Sequence, residues 1–145
     1  MPGARILLVE DDQLNQALVR AVLARSADLM LRDADLVVAG SLAEARVVLA
    51  SGPVDVVLLD MQLPDGSGLA LAAELRSQSA PPPAVVALTG AAAEQRGPAL
   101  AAGCAAVLGK PYTTADLCEL LAAHLPRGQP ATPRPAWAAP SSSDF

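Results

Sequence analysis

"VVLLDMQLPDGSG", residues 56–68, runs four apolar residues directly into a carboxylate, Asp60, and then into a Pro64-Asp65-Gly66 turn signal. An apolar run without polar alternation reads as a strand buried on both faces. A buried strand that ends on an acid needs a reason for it. Runs of the same kind recur on either side: "RILLV" (5–9), "LVVA" (36–39), "VDVVLL" (54–59, which contains the start of the quoted stretch), "AVVAL" (84–88) and "AAVL" (105–108). Between them lie helical patterns at 13–26, 41–51, 67–78, about 91–102 and 113–125. The first helix keeps Leu14, Leu18 and Val22 on one stripe. Ser41 with Glu44 forms a capping-box pattern, and Thr113 or Thr114 caps the last helix with Asp116 in its first turn.

Five strand–helix units in succession predict an α/β fold, a doubly wound parallel sheet with helices on both faces. Such sheets place their site outside the carboxyl ends of the strands, near a topological switch point. Asp60 ends the third strand. Its expected neighbours are Glu10, Asp11 and Asp12 after the first strand, Thr89 after the fourth and Lys110 after the fifth.

The chain has 145 residues, which suits one domain. Residues 1–125 are expected to form it. Residues 126–145, with five prolines and three consecutive serines, read as a flexible tail carrying the single tryptophan, Trp137. No apolar run approaches the roughly 18 residues of a membrane span, and the run before Glu10 is too short for a signal peptide. A cytoplasmic protein is expected. The net charge of −5 and the lack of a basic stripe argue against nucleic acid as a partner. Cys104 and Cys118 lack metal-ligand spacing and read as small buried or half-buried residues. His124 reads as a surface residue at a helix C-terminus, not as part of a triad or zinc site.

Three adjacent acids in a crevice that already holds Asp60 are costly. Two carboxylates about 4 Å apart repel by roughly 4 kcal/mol at an effective dielectric near 20. A divalent cation relieves that repulsion, and an open, oxygen-rich site favours Mg²⁺ or Mn²⁺. Asp12 is expected to cap the first helix. Lys110 is the only lysine, against nine arginines, and it stands where a compact point charge meets the crevice. A carboxylate can accept a phosphoryl group, while a hydroxyl and an ammonium bind its oxygens.

"ILLVEDD", "VVLLDMQLPDGSG", "ALTG" and "LGKP", in that order over about residues 4–125, resemble the receiver domain of two-component response regulators, with hybrid-kinase and phosphorelay receivers closest. Asn15 in "VEDDQLNQALV" has the spacing common in that subgroup. The resemblance implies a flavodoxin-like five-stranded sheet of order 2-1-3-4-5. It implies that Asp60 takes a phosphoryl group from a phosphohistidine, with Thr89 as switch hydroxyl and Lys110 as counter-ion. It implies Mg²⁺ held by Glu10, Asp11, Asp60 and the backbone carbonyl of Gln62, and a cis Lys110–Pro111 bond. A histidine kinase or histidine-phosphotransfer domain is the implied partner. The protein is expected to be a monomeric phosphoacceptor signalling domain and not an enzyme, whose own chemistry is phosphoryl transfer to itself and autodephosphorylation.

Three departures from the pattern stand out. Val107 takes the place of the aromatic switch residue. Gly97-Pro98 interrupts the fourth helical pattern, which is expected to be short, kinked or to begin near Pro98. The link at 26–35 is long, either an extended helix or an insertion. The rival readings are a haloacid-dehalogenase-like aspartyl-phosphate phosphatase, a degenerate receiver that only binds proteins, and a nucleotide or flavin binder. The first would want an acid where Gln62 stands, and the last a glycine-rich loop after the first strand.

Overall fold

The computed structural model describes residues 4–78 and 82–125; the expected tail, residues 126–145 with Trp137, lies outside them. In chain order the elements are β1 (Arg5–Val9), α1 (Gln13–Ala24), α2 (Leu29–Arg32), β2 (Asp35–Ala39), α3 (Leu42–Ser51), β3 (Val56–Asp60), β4 (Gln62–Leu63), β5 (Gly66–Ser67), α4 (Gly68–Gln78), β6 (Ala84–Thr89), α5 (Ala92–Ala101), β7 (Ala106–Gly109) and α6 (Thr114–His124). The main sheet runs β2-β1-β3-β6-β7 with every pair parallel. Among its five strands this is the expected 2-1-3-4-5 order. Among the described residues no helix is long and apolar enough to cross a membrane.

Alternation along the strands splits the core into two layers. Leu7, Val9, Val57, Leu59, Val85, Ala87 and Val107 face one side, with Leu71 and Leu75 of α4 and Ala99 of α5. Ile6, Leu8, Val56, Leu58, Val86 and Leu88 face the other, with Val19 and Leu23 of α1 and Leu117 and Leu121 of α6. All five residues of β3 are buried, so the strand ending on Asp60 is the sheet's centre.

Helix ends follow their caps. Asp12 caps α1 by accepting the Leu14 N–H at 2.8 Å. Thr113 and Asp116 close a full capping box on α6. Ser41 accepts the Glu44 N–H at 3.1 Å, but Glu44 reaches one residue further back and takes the Gly40 N–H at 2.7 Å, so the expected box is only half formed.

Four local features lie beyond the sequence reading or correct it. The α1 stripe of Leu14 and Leu18 faces solvent, 68% and 54% exposed, and the helix docks through Val19 and Leu23 instead. The long link is not an extension of α1. It holds a separate one-turn helix, α2, capped by Asp28, and its Leu31 is fully buried beside α6. Helix α5 does not begin near Pro98 but runs through it from Ala92, as long as α3. A proline removes one donor; Pro98 itself is exposed, while Ala99, the next residue, is packed in the core. The two-residue strands β4 and β5 had no counterpart in the apolar pattern because Gln62, Gly66 and Ser67 are exposed. His124 ends α6 as expected, though half-buried. Cys104 is buried and Cys118 half-buried, both free.

Candidate functional site

The carboxyl ends of β1, β3, β6 and β7 open on one cavity of about 630 Å³. Glu10, Asp11, Asp60, Gln62, Thr89 and Lys110 all line it, so the structure brings every site residue expected from sequence to one place. Asp12, Asn15, Met61, Gly90, Ala91 and Gln95 complete the wall.

Glu10 leaves β1 in register with β2, its N–H donating to the Ala39 carbonyl at 2.9 Å. Gln16 of α1 donates its Nε2 to the Glu10 carbonyl, and the Asp12 N–H donates to Glu10 Oε2 at 3.2 Å. The side chain is therefore held into the cavity while only 2% of the residue is exposed. Burial pushes the Glu10 carboxyl above its ordinary range, with Asp60 adding to the effect. The Asp12 N–H and Lys110 pull the other way.

Lys110 Nζ lies 3.3 Å from both Glu10 Oε1 and Asp60 Oδ2. Its backbone N–H donates to the Thr89 carbonyl at 2.7 Å, which ties the ends of β6 and β7 together. Burial works to lower its pKa, but the two carboxylates outweigh it and hold the ammonium above its usual value. The following peptide bond, Lys110–Pro111, is cis, as the resemblance implied.

Asp60 Oδ1 accepts the Gln62 N–H at 3.0 Å, leaving Oδ2 to Lys110. Antiparallel ladders alternate bonded and non-bonded pairs. Met61 and Gly68 are joined by a bond of 3.1 Å, so the next pair, Gln62 and Ser67, is of the non-bonded kind. In an extended residue the N–H and C=O point the same way. Since the Gln62 N–H faces Asp60, its carbonyl faces the same side. Gly68 is required where it stands, because a Cβ there would lie 2.5 Å from the Asp60 carbonyl oxygen. Thr89 is buried, and its Oγ1 accepts the Ala91 N–H at 3.0 Å.

One carboxylate oxygen each from Glu10, Asp11 and Asp60 come within 4.8 Å of one another. Only oxygen donors are present, the chemistry that suits a hard divalent cation. Gln95, on α5, lines the cavity without having been expected from sequence. So does Asn15, which sequence flagged for its spacing and not as part of the site. Beside the cavity, Leu18, Val19, Val22, Tyr112 and Leu117 line an apolar groove of about 430 Å³, and Asn15 and Lys110 border both spaces.

A parallel α/β sheet with this acidic crevice at its switch point, a lysine after the last strand and a threonine ending the fourth of its five strands is the architecture of a phosphorelay signalling domain. The chain belongs to the response regulator receiver domain family, whose pattern it matches over residues 6–122. Membership of this family displaces the phosphatase and flavin-binding readings. The chain is 34% identical over 123 residues to the aerobic respiration control sensor protein ArcB of Escherichia coli, a match covering 83% of this chain and 15% of ArcB. It is 27% identical, with a TM-score of 0.72, to the receiver domain of a sensor histidine kinase of Pseudomonas aeruginosa, over 84% of this chain and 97% of that one. That structure has a magnesium ion coordinated in its active-site cleft. It is 25% identical, with a TM-score of 0.74, to the receiver domain of the Saccharomyces cerevisiae response regulator Ssk1, over 85% of this chain and 89% of that one. Ssk1 was crystallised there with the histidine phosphotransfer signaling protein Ypd1.

Proposed function

We propose that Asp60 accepts a phosphoryl group from the phosphohistidine of a histidine kinase or histidine-phosphotransfer domain. The observation that carries this reading is the Lys110 ammonium, 3.3 Å from Asp60 Oδ2 and from Glu10 Oε1 in one crevice. As the phosphorus–nitrogen bond of the donor breaks, its electron pair returns to the imidazole and a carboxylate oxygen of Asp60 bonds to phosphorus. Lys110 then pairs with a phosphoryl oxygen. The Thr89 hydroxyl already accepts from Ala91, so its hydrogen is free to donate to a second oxygen. Glu10, Asp11, Asp60 and the Gln62 carbonyl would hold Mg²⁺, with Mn²⁺ able to substitute. The metal, when bound, spreads the charge of the transferring group. The chemistry is confined to the chain's own aspartate, as transfer and self-hydrolysis, with no diffusible substrate turned over.

The partner surface in this reading is the solvent-facing stripe of α1. Leu14 and Leu18 are exposed, Leu18 borders the apolar groove, and that groove shares Asn15 and Lys110 with the acidic cavity. A helix seated there brings its histidine toward Asp60. The receiver unit is taken as residues 1–125, with 126–145 as a tail, acting in the cytoplasm as a monomer. Val107 is too small to relocate as an aromatic ring would, so the domain serves chiefly as a phosphoryl carrier.

The test is labelling with acetyl phosphate and Mg²⁺, read as an acid-stable, base-labile mass increase of one phosphoryl group. Asp60→Asn should abolish it, and a chelator should suppress it in the wild type. Labelling of Asp60→Asn at the wild-type rate would refute the assignment.

A further inference from the structure

The hairpin that follows Asp60 is fastened at its tip to a helix over twenty residues earlier in the chain. Asp65 Oδ1 accepts the Leu42 N–H at 2.9 Å and Oδ2 accepts the Ala43 N–H at 3.1 Å. Both donors belong to the first turn of α3, where backbone N–H groups lack intrahelical partners and the helix dipole favours a carboxylate. Ser41 already serves as the N-cap through the Glu44 N–H, so Asp65 is an addition to the cap. The neighbouring Gly66 has φ 146°, and a Cβ there would stand 3.1 Å from Leu42 Cδ1. The turn is thus seated against the same helix end twice, by hydrogen bonds and by close approach.

We propose that Asp65 is a positioning residue for the cation: clamped to α3, it fixes the direction in which Gln62 presents its backbone carbonyl to the acidic cavity. This rests on the reading of that carbonyl as a metal ligand. The ladder between β4 and β5 is only two pairs long, Gln62 with Ser67 and Leu63 with Gly66. A two-stranded hairpin is marginal by itself. Leu63 anchors one side on the core, while Gln62, Pro64, Gly66 and Ser67 are exposed. The orientation of the hairpin therefore depends on what holds its tip. The Leu42 N–H above all keeps the Asp65 carboxyl below its ordinary range, in keeping with a charged clamp at neutral pH.

The experiment is calorimetric titration of Mg²⁺ into the full chain and three variants. Asp65→Ala should weaken binding by about three- to tenfold, somewhat below the effect of losing a partner bonded directly to a metal ligand. Asp65→Asn removes the same charge but keeps one acceptor oxygen, so it should fall between Asp65→Ala and wild type. Ser41→Ala loosens the same helix end without touching the hairpin, and should keep wild-type affinity. Equal affinity in Asp65→Ala and Asp65→Asn, or an equal loss in Ser41→Ala, would overturn the proposal. The carbonyl ¹³C resonance of Gln62 separates it from the reading beneath it. No Mg²⁺-dependent shift in the wild type defeats the Gln62 ligand assignment. A shift kept at full size in Asp65→Ala defeats the clamp alone.

Discussion

Replacing Lys110 with methionine keeps most of the stem's volume and removes one charge. That charge sits 3.3 Å from carboxylate oxygens on both Glu10 and Asp60. At an effective dielectric near 20 each contact is a gross attraction of about 5 kcal/mol. Much of this is offset by desolvation, and the lysine side chain keeps 28% of its surface in water. Breaking a buried pair costs about 3–5 kcal/mol, so a partly exposed one should cost about 2–3. The losing partners are poorly placed to recover, since Glu10 is 2% exposed and Asp60 7%. For a domain of this size that loss corresponds to a melting temperature lower by about 10 °C. The measurement is thermal unfolding of Lys110→Met and wild type, each in chelator and in saturating Mg²⁺. The variant should be clearly less stable in chelator. It should recover more on Mg²⁺ addition than the wild type does, because the cation meets the same carboxylates without a competing ammonium. Arg46→Met is the control: it breaks a shorter but exposed pair with Glu74 at 2.6 Å, and solvent screening should make its loss much the smaller of the two. Equal melting of Lys110→Met and wild type in chelator would show that Lys110 does not neutralise the crevice. Equal gains with Mg²⁺ would show that it does not share ligands with the cation.

Three further outcomes are expected. Gly68→Ala should lower stability through the clash with the Asp60 carbonyl, which urea denaturation reads as a lower midpoint. Burial pushes the Cys104 thiol up to about 11, so a thiol reagent at mildly alkaline pH should modify Cys118 first and reach Cys104 only on unfolding, as peptide mass mapping would report. Asp65 is held below its ordinary range, chiefly by the Leu42 N–H, so its contribution is complete above the unfolded value of about 3.9 and is lost as pH falls through the lower folded value. Acidification through that window should therefore reduce the melting temperature of wild type more than that of Asp65→Asn.

The strands were legible because a parallel sheet buries them on both faces, which leaves runs such as "VVLL" with no polar residue to blur them. The site was legible for the same reason. A charge or hydroxyl that ends such a run is conspicuous, and Glu10, Asp60, Thr89 and Lys110 each end one or stand just beyond it. The Asp65 clamp was not legible. Pro64-Asp65-Gly66 is fully accounted for as a turn signal, and nothing local reveals that its carboxylate answers two N–H groups of a helix that begins at Leu42. Gln95 was hidden in the same way, as an ordinary polar residue of a helical stretch until the β6–α5 connection sets it at the cavity wall.

Helix α1 shows where periodicity stops being informative. Leu14, Leu18 and Val22 recur at the spacing of one helical face, and Val19 and Leu23 at the spacing of another one residue on. Periodicity groups residues by face but is silent on the medium each face meets. Both stripes are apolar, so the one with more members is the natural choice for the core. The sheet decides otherwise. It takes Val19 and Leu23 against Ile6, Leu8 and Val56, and leaves Leu14 and Leu18 in solvent. Two exposed leucines on one helix face are a standing cost for a domain acting alone. Leu18 and Val22 line the groove, and Asn15, about one turn before Leu18 on α1, lines both groove and acidic cavity. On the proposed function, the face that sequence periodicity would assign to the core is the one a partner carrying a histidine would use to reach Asp60. Leu18→Glu should slow phosphoryl transfer from a phosphorylated histidine-phosphotransfer domain while leaving labelling by acetyl phosphate unchanged. Equal slowing with both donors would show that the residue serves the fold and not the partner.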